Sequence, residues 1–252
     1  MQIQSVPSLI HSEPAEVVIA VNDLRFSYPD KSDVLKSIHL KIHKGDRLGI
    51  IGHNGCGKTT LFLLICGILT PIAGEIRLLD RLVHPGGFYP EIGLVCQHPD
   101  DQLFSASVWD DVAFAPQNMG LSSIEVQQRV TQALEITGMA ALADRPPHHL
   151  SGGEKRMVAI AGVLAMHPQM MIYDEPTANL DLRARRRLIQ FLRQSQETLV
   201  ISSHDLEFIL EVCDRVVLMD NGAIVADGAP RQLMGDLDLM EQYGLEVPYS
   251  LG

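Results

Sequence analysis

The sequence predicts an α/β protein with a mainly parallel core sheet, and three observations carry that reading. Strand-length apolar runs alternate with helix-length stretches over most of the chain, the pattern that builds a parallel sheet through helical crossovers. A glycine-rich segment at 52–57 joins one apolar run to a helical one, the kind of junction at which such sheets bind ligands. With 252 residues, 46% hydrophobic and 20% charged, the chain is long and apolar enough for one large domain or two small ones.

Residues 1–16 are polar, contain proline and read as a loose leader. Short segments then alternate or run apolar from Val17 to Ile51. Among them 38–42 has strict period two, and 48–51 is a short buried strand. The glycine-rich segment follows, then an apolar helical run to Leu69. Pro71 and Gly74 stop it before a strand at 75–79. A strand is expected at 92–96 and a helix at 107–115. Ser122 and Glu125 have capping-box spacing ahead of Val126, Val130, Ala133 and Leu134, and Arg145-Pro146-Pro147 ends the block. Residues 98–147 thus form a helical insertion. Alternation resumes with a strand at 170–173, a helix at 182–193, a strand at 198–202 and a helix at 206–212. Runs at 216–219 and 223–226 flank Asn221-Gly222, a hairpin signal. The tail reads as short polar helical turns. Helices are expected on both faces of the sheet.

Composition narrows the function. The net charge is −11, the wrong sign for coating a duplex or for a general attraction to anionic lipid. Aromatic residues make up 5% with one tryptophan, Trp109, thin for a base-stacking surface. Cys56, Cys66, Cys96 and Cys213 are spaced by 10, 30 and 117 residues, which matches neither a zinc pattern nor a disulfide framework, so reduced thiols are expected. The N-terminus lacks a basic start followed by an apolar core, so no signal peptide is expected. The longest apolar run, Leu61–Leu69, is half a membrane span.

The chemistry concentrates at a few short motifs. Gly52-His53-Asn54-Gly55-Cys56-Gly57-Lys58-Thr59 fits G-x-x-x-x-G-K-[ST] between a strand and a helix. Glycines let successive N–H groups turn onto phosphate oxygens, and the helix N-terminus adds positive potential. Lys58 would meet the β- and γ-phosphates, and the Thr59 hydroxyl would ligate Mg²⁺. On this loop alone ATPase, GTPase and kinase readings stay open. Strand 170–173 ends in Asp174-Glu175. At that sheet edge Asp174 can hold the magnesium shell, and Glu175 can accept a proton from water.

Leu150-Ser151-Gly152-Gly153-Glu154 decides between those readings. It resembles the signature of ATP-binding-cassette (ABC) ATPases, which P-loop kinases and GTPases lack. Leu150 lies 92 residues after Lys58, and Ser151 lies 24 before Glu175. Gln97 matches the family's Q-loop glutamine, Ala178-Asn179-Leu180-Asp181 its D-loop, His204 its switch histidine, and Tyr28 its adenine-stacking aromatic. The resemblance covers about residues 17–230. It implies the P-loop NTPase fold of ABC ATPases, with N-terminal antiparallel strands beside the parallel sheet. It also implies one ATPase domain at 17–235, a helical subdomain at about 98–165 and a tail at 236–252.

The same resemblance implies ATP and Mg²⁺ as ligands. Glu175, His204, Lys58 and Gln97 would be catalytic, and Thr59, Gln97 and Asp174 would hold the metal. Tyr28, Gly52, Asn54, Gly55, Cys56, Gly57, Lys58, Thr59 and Thr60 would contact the nucleotide, as would Ser151, Gly152 and Gly153 of the signature. Two cassettes would meet head to tail, so a second ATPase subunit, identical or paralogous, is expected.

Residues 97–104 (QHPDDQLF) and 108–114 (VWDDVAF) further resemble the ATPase subunits of energy-coupling-factor and cobalt/nickel importers. In that type the segment faces transmembrane subunits, which would hold the chain at the cytoplasmic face of the membrane. Leu103, Phe104 and Trp109 would be apolar anchors, and Asp100, Asp101, Asp110 and Asp111 would meet basic helices of the partner. A soluble ABC ATPase acting on nucleic acid or ribosomes, or a non-catalytic ATP-dependent regulator, is the alternative. Only 91 residues separate Lys58 from Leu150, without a sustained heptad, which argues against a coiled-coil machine. No nucleic-acid partner is expected, and the five arginines at 183–193 read as a solvated helix face. Cys56, at a helix N-terminus beside Lys58, is expected to be a reactive, accessible thiolate, with Cys66 and Cys96 protected.

Overall fold

A computed structural model describes residues 16–252, so the leader expectation falls almost wholly outside the described residues. The chain runs β1 (Val17–Tyr28), β2 (Lys31–His43), β3 (Arg47–Ile51), α1 (Lys58–Ile65), β4 (Ala73–Leu78), β5 (Arg81–Leu82), β6 (Ile92–Val95), α2 (Val108–Asn118), α3 (Ser123–Thr137) and α4 (Gly152–Leu164). It continues β7 (Met170–Asp174), α5 (Leu182–Gln194), β8 (Thr198–Ser202), α6 (Leu206–Val212), β9 (Arg215–Asp220), β10 (Ala223–Gly228), α7 (Pro230–Leu233) and α8 (Leu237–Gln242).

The strands form two sheets, ordered β2-β1-β4-β5 and β10-β9-β3-β8-β7-β6. The first is antiparallel throughout. In the second, β9, β3, β8, β7 and β6 run parallel, and β10 returns antiparallel to β9 through the Asn221-Gly222 turn. Both turn residues have positive φ, 44° and 80°, as a tight hairpin of this hand requires. In β2 the period-two segment behaves as its pattern dictates. Ile38, Leu40 and Ile42 are buried, while His39 and Lys41 are exposed.

The parallel strands are buried on both faces, and successive residues feed two cores. Leu48, Ile50, Met170, Ile172, Val200 and Val217 pack with α1 and the antiparallel sheet. Ile51, Met171, Tyr173, Leu199, Ile201 and Val216 pack with the helices of the other side. The expectation of helices on both faces is thereby modified. On one face α1 shares its place with a second sheet, because β1, β2 and β4 carry an apolar side that must also leave water. Helices α2, α3 and α4 pack on one another as a group. The tail is less polar in effect than its sequence suggests. Met240 of α8 is fully buried, and Ser250 bonds through its N–H and its hydroxyl to the Glu207 carboxylate of α6.

Helix α1 stops at Ile65, four residues before the apolar run ends. Gly67 explains it. Its φ of +70° reverses the chain, its N–H bonds Leu64 O (3.0 Å), and the next N–H, of Ile68, bonds Leu63 O (2.9 Å). That pair of bonds caps a helix and needs a residue tolerant of left-handed backbone. A Cβ there would also sit 3.0 Å from His84 O. Gly67→Ala is therefore expected to lower stability by about 1–2 kcal/mol, read as a reduced urea midpoint at unchanged m. An unchanged midpoint would contradict the cap.

Candidate nucleotide site

The C-terminal ends of β3, β7 and β8 lie side by side in the parallel sheet, and the site is built on what each strand delivers there. Strand β3 delivers the glycine-rich loop. The loop is held from below by the β9–β10 hairpin. The Gly222 N–H donates to Cys56 O (3.1 Å), and a Cβ on Gly52 (φ +143°) would lie 2.1 Å from Met219 O. No other residue type fits at Gly52. Gly57 (φ +110°) turns the chain into α1, whose first N–H groups have no partner within the helix. Lys58 is buried, and its Nζ donates to Gly52 O (2.8 Å) and His53 O (3.3 Å).

Strand β7 delivers two carboxylates. Asp174 is 4% exposed and accepts bonds from both neighbours, from Thr59 Oγ1 to Oδ2 (2.6 Å) and from Ser202 Oγ to Oδ1 (2.6 Å). Glu175 follows with φ +46°, a conformation that costs a non-glycine residue energy and clusters at functional positions. It is held there by its N–H, which bonds Ser202 O (3.1 Å) and Ser202 Oγ (3.0 Å). Its Oε2 lies 2.7 Å from His204 Nδ1 and accepts the His204 backbone N–H at 3.2 Å. Its Oε1 lies 3.9 Å from Lys58 Nζ.

These groups line one cavity of about 370 Å³. Of the expected residues, Tyr28, Asn54, Gly55, Gly57, Lys58, Thr59, Thr60, Gln97, Asp174, Glu175 and His204 face it. Tyr28 stands at one side, its hydroxyl 3.2 Å from Thr60 Oγ1 and its ring edge-on to Phe26. Gly52 and Cys56 do not line the cavity and shape the loop from behind. Ser151, Gly152 and Gly153 do not line it either. Ser151 caps α4 in a reciprocal box with Glu154, whose carboxyl the Ser151 hydroxyl and N–H hold below its ordinary value. Ser151 and Gly152 are exposed.

Cys56 corrects the expectation of a reactive thiol. The residue is 1% exposed, and burial raises its pKa against the lowering effect of Lys58. Its Sγ packs behind the loop, 2.9 Å from where a Cβ on Gly52 would sit. A helix N-terminus activates a thiol only where the thiolate stays solvated. Burial likewise pushes Cys66 up to about 12 and raises Cys96 and Cys213.

Three joining residues were not singled out from the sequence. Ser202 ties β8 to Asp174 and Glu175, and Lys31 adds a cation to the cavity wall. Arg156, on the second turn of α4, is 2% exposed and donates to Cys96 O and Gln97 O (both 2.6 Å). It thereby joins the helix that begins at the signature to the backbone of Gln97. Only its place shortly after the signature could have drawn notice.

A second cavity, about 300 Å³, opens between α2 and α4. Phe104 (65% exposed) and Phe114 (48%) meet edge to face at its mouth, 4.9 Å between centroids. Of the anchors expected from the sequence, Leu103 and Phe104 line this cavity and Trp109 does not. Leu103 and Trp109 are half-buried against the core, whereas Phe114 stands free. The acids divide as well. Asp111 is buried, its Oδ1 holding the N–H groups of Phe104 and Ser105 (3.0 Å each) and its Oδ2 without a partner among the described residues. Asp100 pairs with Lys155 (2.7 Å), and Asp101 and Asp110 stay exposed.

A phosphate-cradling loop, a metal-competent Asp–Thr pair and a buried glutamate at one sheet edge define a P-loop NTPase. The ABC transporter family model matches residues 35–178. A putative ABC transporter ATP-binding protein of Synechocystis sp. is 59% identical over 238 residues, 94% of this chain and 84% of that protein. The energy-coupling factor transporter ATP-binding protein EcfA of Methanothermobacter thermautotrophicus is 44% identical over 242 residues, 92% and 77% respectively. CbiO1 of Clostridium perfringens, part of the ABC transporter complex cbiONQ, superposes with a TM-score of 0.78 at 37% identity, covering 92% of this chain and 96% of its own. The chain belongs to the ABC transporter family and is one of its ATPases. Among the described residues no helix is long and apolar enough to cross a membrane.

The buried thiol gives a direct check on the loop. Brief maleimide treatment of the native chain at neutral pH is expected to leave Cys56 unmodified, with labelling only after denaturation. Rapid native labelling at Cys56 by peptide mapping would contradict the inward side chain.

Proposed function

We propose that the chain is the ATP-hydrolysing subunit of a membrane importer of the energy-coupling-factor or cobalt/nickel type. The observation that carries hydrolysis is the Glu175 carboxylate, 7% exposed, held between His204 and Lys58 at the wall of the phosphate-loop cavity. ATP would lie with its phosphates on the loop N–H groups and on Lys58, and its adenine against Tyr28. Glu175 takes the proton of the attacking water, His204 holds Glu175 and the departing phosphate, and Gln97 contacts the same region from β6. The oxygen set of Thr59, Asp174 and Gln97 fits magnesium, a hard cation that prefers carboxylate, hydroxyl and amide oxygen. Magnesium bound there supplies positive charge to the phosphate oxygens.

The signature residues Ser151, Gly152 and Gly153 lie outside the cavity of their own chain. In a head-to-tail pair they serve the nucleotide held by the second ATPase subunit, identical or paralogous, and receive the same service in return. On this reading 17–235 is one ATPase domain, with a helical subdomain at about 98–165.

The α2–α4 cavity supports a transmembrane partner. Phe104 and Phe114 offer aromatic surface for a partner helix, and the exposed Asp101 carboxylate at the same cavity offers charge to a basic side chain from it. The similarity to EcfA and CbiO1, both named for transporters, supports this coupling type. Gln102 makes the cavity mechanically relevant. Its amide bonds Leu94 O (3.0 Å) and the Cys96 N–H (2.9 Å), so the cavity wall is fixed to the strand that leads into Gln97.

Two outcomes test this reading. Glu175→Gln should lower the ATP hydrolysis rate by about 10²–10⁴-fold while ATP binding persists, and hydrolysis at the rate of the unchanged chain would remove Glu175 from the reaction. Phe104→Asp with Phe114→Ala should release the membrane subunits in mild-detergent copurification while ATP binding is kept. Undiminished copurification would return the cavity to an ordinary surface cleft.

A further inference from the structure

Arg185 lies one turn into α5, past the Asp181 side chain that caps this helix through the Ala184 N–H (2.7 Å). It does not join the solvated face of its arginine-rich helix. Its guanidinium grips the Asp205 carboxylate with two bonds, Nε to Oδ2 (2.6 Å) and Nη2 to Oδ1 (3.1 Å), and adds a third to Glu211 (3.3 Å). The Arg185 and Asp205 side chains are 19% and 25% exposed. A bidentate pair this far out of water is held more firmly than a surface ion pair. Burial pushes the Asp205 carboxyl up, but the Arg185 and Phe208 bonds outweigh it and hold the group below its ordinary range.

Asp205 directly follows His204. Its N–H bonds Ser203 Oγ (3.0 Å), and its carboxylate caps α6 through the Phe208 N–H (2.9 Å). The His204 side chain is 66% exposed, so packing does not place the ring. The backbone at 203–205 and the Glu175 carboxylate place it. The contacts therefore close a circuit. From Glu175 the chain runs through 176–181 to α5, across Arg185 to Asp205, to His204 and back to Glu175. Asn179, within that connecting segment, has φ +60°, so the segment is itself conformationally strained.

We propose that Arg185 is a positioning residue for ATP hydrolysis: by gripping Asp205 it fixes His204 against Glu175 and passes movements of the 176–181 segment on to His204. This rests on the reading of Glu175 and His204 as the hydrolytic pair. The competing account makes Arg185 a simple tie between α5 and α6, which would change stability without a selective effect on turnover.

Full-length Arg185→Met and Asp205→Asn separate the two accounts. Asparagine caps a helix about as well as aspartate, so Asp205→Asn keeps α6 while loosening the grip. Steady-state hydrolysis, melting temperature and the His204 ring NMR signals are measured for each. Both variants should lose about 10–100-fold in kcat with the KM for ATP within about twofold and shifted His204 signals, and Arg185→Lys should recover part of the rate. In a His204→Ala background, Arg185→Met should cost nothing more.

Rates within about twofold of the unchanged chain would overturn the assignment, as would an independent further loss in the His204→Ala background. If Arg185→Met does not fold, Asp205→Asn decides alone. Inert Glu175→Gln with unaffected Arg185 and Asp205 variants would sink the positioning role only. Active Glu175→Gln would overturn the hydrolytic reading and this assignment with it.

Discussion

The Asp174 carboxylate is the point on which the rest of the site depends. One oxygen takes the Thr59 hydroxyl at the head of α1, and the other takes the Ser202 hydroxyl at the end of β8. Each bond to a buried charge is worth about 1.5–3 kcal/mol. Together they register the phosphate loop, the acidic strand and the switch-histidine strand against one another. Ser202 then carries the same register to Glu175, whose strained backbone is held by its N–H bonding both Ser202 O and Oγ. A parallel sheet makes this possible. Its strands end on one edge, and neighbours in the sheet need not be neighbours in the sequence.

Around that hub the chain uses arginines as joinery between helices and loops. Arg156 ties the signature helix to the carbonyls of Cys96 and Gln97, and Arg185 ties α5 to Asp205 beside His204. Burial lowers the Arg156 pKa to about 10, which still leaves it a cation; two carbonyl oxygens take its terminal N–H groups, while its buried Nε has no partner among the described residues. Gln97 and His204 are thus each held through backbone from a helix that begins at a motif, the signature for α4 and the 178–181 segment for α5. If the chain pairs or docks as proposed, that arrangement gives a physical route by which either event would reach the groups around Glu175.

The order of elements and the positions of Lys58, Asp174, Glu175 and His204 were legible in the sequence, because each motif sits on a short turn between periodic segments. The partners that hold them were not. Ser202, Arg156 and the Arg185–Asp205 pair act across 20 or more residues of sequence, and nothing local marks them. Cys56 was misread because neighbouring residues show the charge beside a thiol but not the direction of the side chain, and desolvation outweighed Lys58. The burial of Asp111, the half-burial of Trp109 and the exposure of Phe114 were not legible for the same reason. Composition shows that a segment is amphipathic, and only packing shows which acid turns inward to hold the loop.

The dependence of nucleotide affinity on magnesium in Asp174→Asn tests the hub most directly, with the full chain and its melting temperature as reference. If Asp174 gathers the metal beside Thr59, magnesium strengthens ATP binding to the unchanged chain, and this strengthening is lost in the variant while metal-free ATP binding remains. An undiminished magnesium effect in a folded Asp174→Asn chain would contradict the account.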